Sequence, residues 1–430
     1  MQQKITVKTF DDVRDILAEH TPPSRSMVGN YTLDSMRAIM AVLGNPQDSY
    51  KVIHVAGTSG KTSTAYYIAA LLRQTGKTVG LTVSPHVDQV NERLQINSVP
   101  LEESWYCSEF SEFMNTLNVL SNDNKLPKKP TYFELLVAFA YWEFARQQVD
   151  YAVVEVGLGG LLDGTNVITR SDKVSVITDI GMDHVDILGH TLGKIAAQKA
   201  GILLPGGTGF CLDQSDEVIS SFKKVTAKRN SELRIIAYTP DHSVSHLPLF
   251  QQRNFFLASQ VADYVIGRDA LPKLTIEQLD KCSHILIPGR MEVVTNSKGV
   301  FILDAAHNPQ KMEAFITSVR KEYPGQKFVV LFALLRSKDG KLQAVLEQLL
   351  PVTSHLIITE FIAGQDLHKH STPPDRIVEA CLAQGFDSVE VIADSNLAVK
   401  ALYEYPKKFH IAVGTFYLLH QIHLSLGGSE

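Results

Sequence analysis

The run Lys51 to Ala56 (KVIHVA) passes without a break into Gly57-Thr58-Ser59-Gly60-Lys61-Thr62-Ser63, and a helix-forming run follows. No other feature restricts the fold as much. A β-branched strand that ends in a glycine-bordered turn and restarts as a helix is the core unit of a parallel α/β sheet. Small residues in the turn let backbone N–H groups approach an anion closely, and the helix N-terminus adds partial positive charge. Lys61 can reach terminal phosphates, and a hydroxyl at Thr62 or Ser63 can help hold Mg²⁺. The standard phosphate loop has glycine five positions before its Gly-Lys pair, and Val55 stands there, so this is a variant. An ordinary strand-to-helix turn is the competing reading, and the flanking strand and helix weigh against it.

The same rhythm repeats along the chain. Helices are expected at Lys61 to Thr75, Leu101 to Leu117 and Tyr132 to Gln148, with a strand at Thr78 to Val83. Tyr151 to Val156 and Lys173 to Thr178 are apolar runs of buried-strand length, which suit a sheet covered on both faces. The polar stretch Leu120 to Pro130 is read as a surface loop. From Met291 the rhythm restarts, with strands expected at Val300 to Leu303, Lys327 to Phe332, Ser354 to Thr359, Val389 to Ile392 and Phe409 to Val413. At 430 residues, two or three domains are expected. The boundary is placed at about residue 289, giving domains 1–289 and 290–430. The fold class is α/β, a mostly parallel sheet plus a smaller α/β domain.

The formal charge of −5 gives no reason to expect nucleic acid or an anionic membrane as partner. No apolar run approaches the length of a membrane span, and the N-terminus has no apolar signal core. The four cysteines, Cys107, Cys211, Cys282 and Cys381, form no CxxC pair and are expected to be reduced, buried thiols of a cytoplasmic protein.

Three polar residues follow successive expected strands, where open α/β sheets bind ligands. Ser84 follows TVGLTV, Glu155 ends YAVVEV, and His184 comes soon after KVSVITDIG. A hydroxyl, a carboxylate and an imidazole can converge on one cation. Mg²⁺ prefers oxygen, so the histidine is the odd member, and zinc would suit it better. Singly, each has a local alternative. Ser84 can cap a turn, Glu155 can pair with a buried arginine, and His184 can be a satisfied loop histidine.

The ordered blocks GTSGKTS, SPHVDQVNERLQIN, TYFE, EVGLGGLLDGTN, DHVDILGHTLGKIAAQKAGI, PGRMEVV, LDAAHNP and VGTFYLL resemble folylpolyglutamate and dihydrofolate synthases of the Mur-ligase superfamily. They span about residues 50 to 420. The resemblance implies an N-terminal Mur-ligase-type ATPase domain, a smaller C-terminal, Rossmann-like glutamate-ligase domain, and substrates that meet in a cleft. It implies ATP and Mg²⁺ as cofactors, folate or dihydropteroate and L-glutamate as substrates, and a monomer. Gly57, Thr58, Ser59, Gly60, Lys61, Thr62 and Ser63 then cradle phosphate, while Ser84, Glu155 and His184 match magnesium ligands. Lys199 matches a lysine that is often carbamylated and so can serve a second metal ion. Asn254, Arg290 and Asp304 match nucleotide contacts, and His307 and Thr415 match positions near the incoming glutamate. Arg93 and Thr131 are placed on the folate side. Lys61, Lys199 and His307 are the expected catalytic residues. Without the resemblance, Asp304 reads as a cap for the helix near Pro309, Arg290 as a linker charge, and Lys199 as a solvated helix-end lysine.

The sequence departs from the family pattern at Thr62, where glycine is usual, at Leu161 for an arginine, at Gln198 for a glutamate, and at Arg336 and Ser337 in LLRSKD. Leu161 removes a fixed positive charge able to hold a carboxylate or phosphate. The expected reaction forms an acyl phosphate from the acid and ATP, then an amide by attack of the amino acid's amine. A muramyl-peptide-type ligase and a non-ligating ATP-binding protein are the competing readings.

Overall fold

The computed structural model describes residues 4–21, 32–121, 129–336, 340–363, 369–406 and 408–427. Most of the expected Leu120–Pro130 loop, and Ser337, lie outside these. Two compact units are present. The first comprises Met1–Val244 and Gln252–Ile285, and the second Ser245–Gln251, Leu286–Gly364 and His368–Glu430.

The first unit is built on an eight-stranded sheet. Its strands are β1 (Lys51–Ala56), β2 (Val79–Thr82), β3 (Gln95–Ile96), β4 (Val99–Pro100), β5 (Tyr151–Glu155), β6 (Val174–Ile177), β7 (Thr208–Leu212) and β8 (Glu232–Ile236). The order is β4-β3-β2-β5-β1-β6-β7-β8. All neighbours are parallel except β3 with β2 and with β4. After Lys51, every residue of β1, β5 and β6 is buried, as a sheet with both faces covered requires. The covering helices are α1 (Phe10–Ala18), α2 (Asp34–Val42), α3 (Lys61–Arg73), α4 (Glu103–Ser121), α5 (Tyr132–Arg146), α6 (Val185–Leu188), α7 (Leu192–Ala200), α8 (Asp216–Arg229), α9 (Leu249–Arg268) and α10 (Ile276–Ser283). Phe110, Phe113 and Phe139 of α4 and α5 make tilted and edge-on ring contacts in the largest core, which reaches Ala152 and Val154 of β5.

The second unit carries β9 (Glu292–Asn296), β10 (Gly299–Asp304), β11 (Phe328–Phe332), β12 (Thr353–Ile358), a small hairpin of β13 (Ile362–Ala363) and β14 (Lys369–His370), β15 (Val389–Val391) and β16 (Phe409–Val413). Its six-stranded sheet has the order β15-β12-β11-β16-β10-β9 and is parallel except at the β9 edge. Its helices are α11 (Pro309–Glu322), α12 (Lys341–Leu349), α13 (Pro374–Ala383), α14 (Ser395–Glu404) and α15 (Phe416–Gly427). Phe315, Phe328, Val330 and Ile411 are among its fully enclosed core residues.

Among the described residues no helix is long and apolar enough to cross a membrane. All four cysteines are free and buried.

Candidate functional site

β2, β5, β1 and β6 are neighbours in the sheet, so the loops after them open side by side at its carboxyl edge. That edge is where open α/β sheets take ligands. The turn after β1 is held by the loop after β6. The Thr58 and Ser59 N–H groups donate to the Asp179 carbonyl at 2.9 and 3.2 Å. The Thr178 hydroxyl lies 2.6 Å from the Ser59 carbonyl and 3.2 Å from that of Ala56. Asp179 in turn binds the Arg253 guanidinium at 3.0 Å.

Two glycines are required here. A Cβ on Gly57 would stand 1.7 Å from Thr178 Oγ1. Gly60 has φ +84°, and a Cβ there would lie 2.3 Å from the Asn254 side-chain oxygen, so α9 brings Asn254 against the loop. Lys61 is the first residue of α3, and three small hydroxylated residues, Thr62, Ser63 and Thr64, follow it. The Ser63 Oγ is buried and has no hydrogen-bond partner among the described residues. Burying such a group unpaired is costly, so a hydroxyl left this way at a helix start fits an oxygen-rich ligand.

Glu155 ends β5 at 3% exposure. One carboxylate oxygen accepts from the Thr62 hydroxyl at 3.0 Å, and the other from the Ser84 N–H at 3.1 Å. The carboxylate therefore links the phosphate loop to Ser84 and has no buried arginine as its hydrogen-bond partner at these two contacts. His184 precedes α6 in a left-handed conformation, φ 51°, and its N–H donates to the neighbouring Asp183 carboxylate at 3.1 Å. No group of three or more His, Cys, Asp or Glu side chains able to hold a metal exists among the described residues. Glu155 and Ser84 are brought together, while His184 stands on the loop after β6, two strands away from β5 in the sheet.

Lys199 is not a solvated lysine. It is 5% exposed and its Nζ donates to the Gly57 carbonyl at 2.7 Å. Leu161 packs beside the same helix end, its N–H donating to the Gln198 carbonyl at 2.8 Å. Arg336 is exposed, and its N–H pairs with the His370 carbonyl at 3.0 Å.

Arg93 is buried, donates from Nε to His86 Nδ1 at 3.0 Å and lies 5.4 Å from the Tyr132 ring centroid. Thr131 is the N-cap of α5, in a reciprocal capping box with Glu134.

Some residues that shape this edge carry no mark in the sequence reading. Asp163 accepts from the Leu158 N–H at 2.7 Å and the Thr165 N–H at 3.0 Å, which ties down the glycine-rich loop beyond β5. Burial raises its carboxyl pKa, and these donors oppose that rise. Asp179 and Arg253 also went unmarked. The signal for Asp179 is a polar residue just past a buried strand. For Arg253 it is only adjacency to Asn254.

In the second unit Asp304 ends β10. Its two oxygens accept from the Met291 and Ala306 N–H groups, both at 2.7 Å. The cap of α11 is Asn308, which accepts from the Lys311 N–H at 2.9 Å, so Asp304 is not spent on that helix. Burial pushes the Asp304 carboxyl up to about 6, against the lowering charge of Arg290. Arg290 lies 4.5 Å from the Phe416 ring centroid, half-buried rather than loose in a linker. Thr415 is buried after β16, next to β10, and its hydroxyl accepts from the Tyr417 N–H at 3.3 Å. His307 follows Asp304 on the same loop, with Nδ1 2.7 Å from the Ala305 carbonyl.

Both halves match known domains. Residues 55–245 match the Mur ligase middle domain and residues 289–409 the Mur ligase glutamate ligase domain, which places the chain among Mur-type ligases. A dihydrofolate synthetase of Saccharomyces cerevisiae is 30% identical over 390 residues, covering 85% of this chain and 89% of the relative. A folylpolyglutamate synthase of Lacticaseibacillus casei is 33% identical over 346 residues, covering 74% and 79%. The structure of the Mycobacterium tuberculosis folylpolyglutamate synthase complexed with ADP superposes with a TM-score of 0.82 at 25% identity, covering 97% of this chain and 98% of that one. The chain belongs to the folylpolyglutamate synthase/dihydrofolate synthase family.

Proposed function

We propose that this protein is an ATP- and Mg²⁺-dependent ligase that adds L-glutamate to a folate. The observation that carries the reading is the carboxyl edge of the first sheet. There a phosphate-type loop, an orphaned hydroxyl and the Glu155 carboxylate bridging Thr62 and Ser84 lie on adjacent strands. Relatives named folylpolyglutamate synthase and dihydrofolate synthase support the acid and the amino acid. Solved relatives with ADP, and with AMPPCP and folate, support the nucleotide.

In this reading the folate carboxylate attacks the γ-phosphorus of ATP and ADP leaves, giving an acyl phosphate. The amine of glutamate attacks the acyl carbon, loses a proton, and inorganic phosphate leaves as the amide forms. The first step brings anions together. Lys61 and the amides at the start of α3 offset that repulsion, as preorganised donors do in a site shielded from water. Ser84, Glu155 and His184 would hold Mg²⁺, which supplies charge neutralisation at the phosphates. Asn254, Arg290 and Asp304 are assigned to the nucleotide, Arg93 and Thr131 to the folate, and His307 and Thr415 to glutamate. Lys199 holds the Gly57 carbonyl, so carbamylation there would exchange that prop for a metal ligand.

Residues 1–289 are assigned as the ATP- and folate-binding domain and 290–430 as the glutamate-ligase domain, which also lends Arg290 and Asp304 to the nucleotide. The buried thiols suit a cytoplasmic setting, and a monomer is expected to suffice. Dihydropteroate is the second acceptor, favoured by the yeast relative's name. A phosphate-release assay across pteroates, folates and amino acids tests the reading. Release that depends on both an acid and glutamate is expected. Release that needs neither would make the protein a plain ATPase, and none with any pair would overturn the ligase.

A further inference from the structure

His307 is held in one tautomer by its neighbours. Nδ1 lies 2.7 Å from the Ala305 carbonyl, so that nitrogen carries the hydrogen and Nε2 keeps its lone pair. Lys311 Nζ lies 3.1 Å from Nε2 and donates to it. A cation at that distance opposes a second positive charge on the ring. The arrangement is that of an imidazole acceptor steering an ammonium donor.

The position of the pair matters. Lys311 is on the first turn of α11, at the carboxyl end of β10. β16 runs parallel beside β10, with Asp304 in register with Val413, so Thr415 leaves the sheet at the same edge. Lys311 is half-buried, which weakens solvent screening of its charge. The loop is packed tightly: a Cβ on Gly414 would lie 2.3 Å from the Ala333 carbonyl oxygen, so this edge has little freedom to rearrange.

We propose that Lys311 receives a carboxylate of the incoming amino acid and thereby sets a preference for an acidic acceptor, with His307 as the positioning residue that aims it. The inference rests on the ligase reading above. An amino acid that will be acylated must present a neutral amine, while its carboxylates stay charged. A fixed cation meets both needs. It binds a carboxylate through a charge-assisted hydrogen bond, and its field favours loss of the proton from a neighbouring ammonium. Lysine, a compact point charge on a flexible stem, suits a contact made by a single carboxylate oxygen.

The test is steady-state kinetics of the full chain with L-glutamate, L-glutamine and the α-amide of glutamate, for the parent, K311A, K311Q and K311R. In K311A and K311Q the KM for L-glutamate should rise roughly ten- to a hundredfold, the size expected for losing a charged hydrogen bond. The kcat and the KM for ATP should change little, and K311R should recover most of the loss. The penalty should vanish for whichever analogue lacks the carboxylate that Lys311 holds. H307A should move the KM for glutamate in the same direction, whereas a histidine that acts as a base would lower kcat instead. If K311A does not fold, the polar K311Q and K311R carry the comparison. An unchanged KM for glutamate in a folded K311Q, in a parent enzyme that ligates glutamate, overturns the assignment of Lys311 alone. A parent that ligates no amino acid overturns the ligase reading with it.

Discussion

Replacing Gly57 by alanine tests the packing that shapes the phosphate loop. The new Cβ would stand 1.7 Å from Thr178 Oγ1 and 2.9 Å from its Cβ, at φ +155°, which L side chains rarely adopt. Backbone strain of this kind costs about 1–3 kcal/mol. Thr178 is β-branched and cannot swing clear without giving up its contacts to the Ser59 and Ala56 carbonyls. The one hydroxyl hydrogen is shared between the two carbonyls, so losing both contacts costs about 0.5–1.5 kcal/mol in all. G57A should therefore lose about 1.5–4.5 kcal/mol of stability in urea unfolding. T178A removes Oγ1, the nearest obstructing atom, together with the same shared hydrogen bond and should lose about 0.5–1.5 kcal/mol. In the double variant that bond is lost only once. Its loss should match that of G57A alone, a coupling of about 0.5–1.5 kcal/mol in the cycle. The KM for ATP should rise in both single variants. A G57A loss below about 1 kcal/mol, or strictly additive losses in the double variant, would refute the reasoning.

K61A should keep the parent's circular dichroism and melting midpoint but lose turnover; near-normal ATP-dependent ligation would remove Lys61 from the phosphate site. E155Q keeps an acceptor for Thr62 but loses the charge, so half-maximal rate should need more Mg²⁺, and an unchanged Mg²⁺ curve would take Glu155 out of the metal set. Lys173 is 1% exposed, with no partner for its Nζ among the described residues, and burial, then Arg229, pull its pKa down to about 7. The folded state thus favours the neutral amine, so this group's contribution is most favourable above pH 10.5 and is lost as pH falls toward about 7. K173M should be more stable than the parent at pH 7 by about 3–5 kcal/mol, with the gap shrinking toward pH 10; a gap that does not vary with pH would contradict the burial argument.

The sequence announces what is local and periodic. KVIHVA and FHIAV coincide with β1 and β16 because each is a short apolar run broken only by one histidine, His54 or His410. β3 and β4 are two residues each, too short for any alternation to register. β9 is half-exposed on an edge, and β7 (TGFCL) follows Gly206 and Gly207 and carries Gly209, so neither reads as a buried run. The site divides in the same way. The phosphate loop is contiguous and therefore legible, and Ser84 and Glu155 are legible as polar residues at strand ends. The supports are not. The Thr58 and Ser59 amides pair with a backbone carbonyl, which leaves no side-chain signature. Asp163 acts on Leu158 and Thr165 through their amides in the same way. The open choice over Asp304 was settled by Asn308, a stronger N-cap in the right place. Lys311 lies one turn from His307, a pairing visible only once α11 is known to start at Pro309.

The most direct measurement is product analysis by mass spectrometry on reactions of purified protein with ATP, Mg²⁺, a reduced folate or dihydropteroate, and L-glutamate, with ADP quantified in the same samples. The account predicts an acceptor heavier by one or more glutamyl residues and one ADP per glutamate joined. Consumption of ATP with no mass added to any acceptor would contradict it.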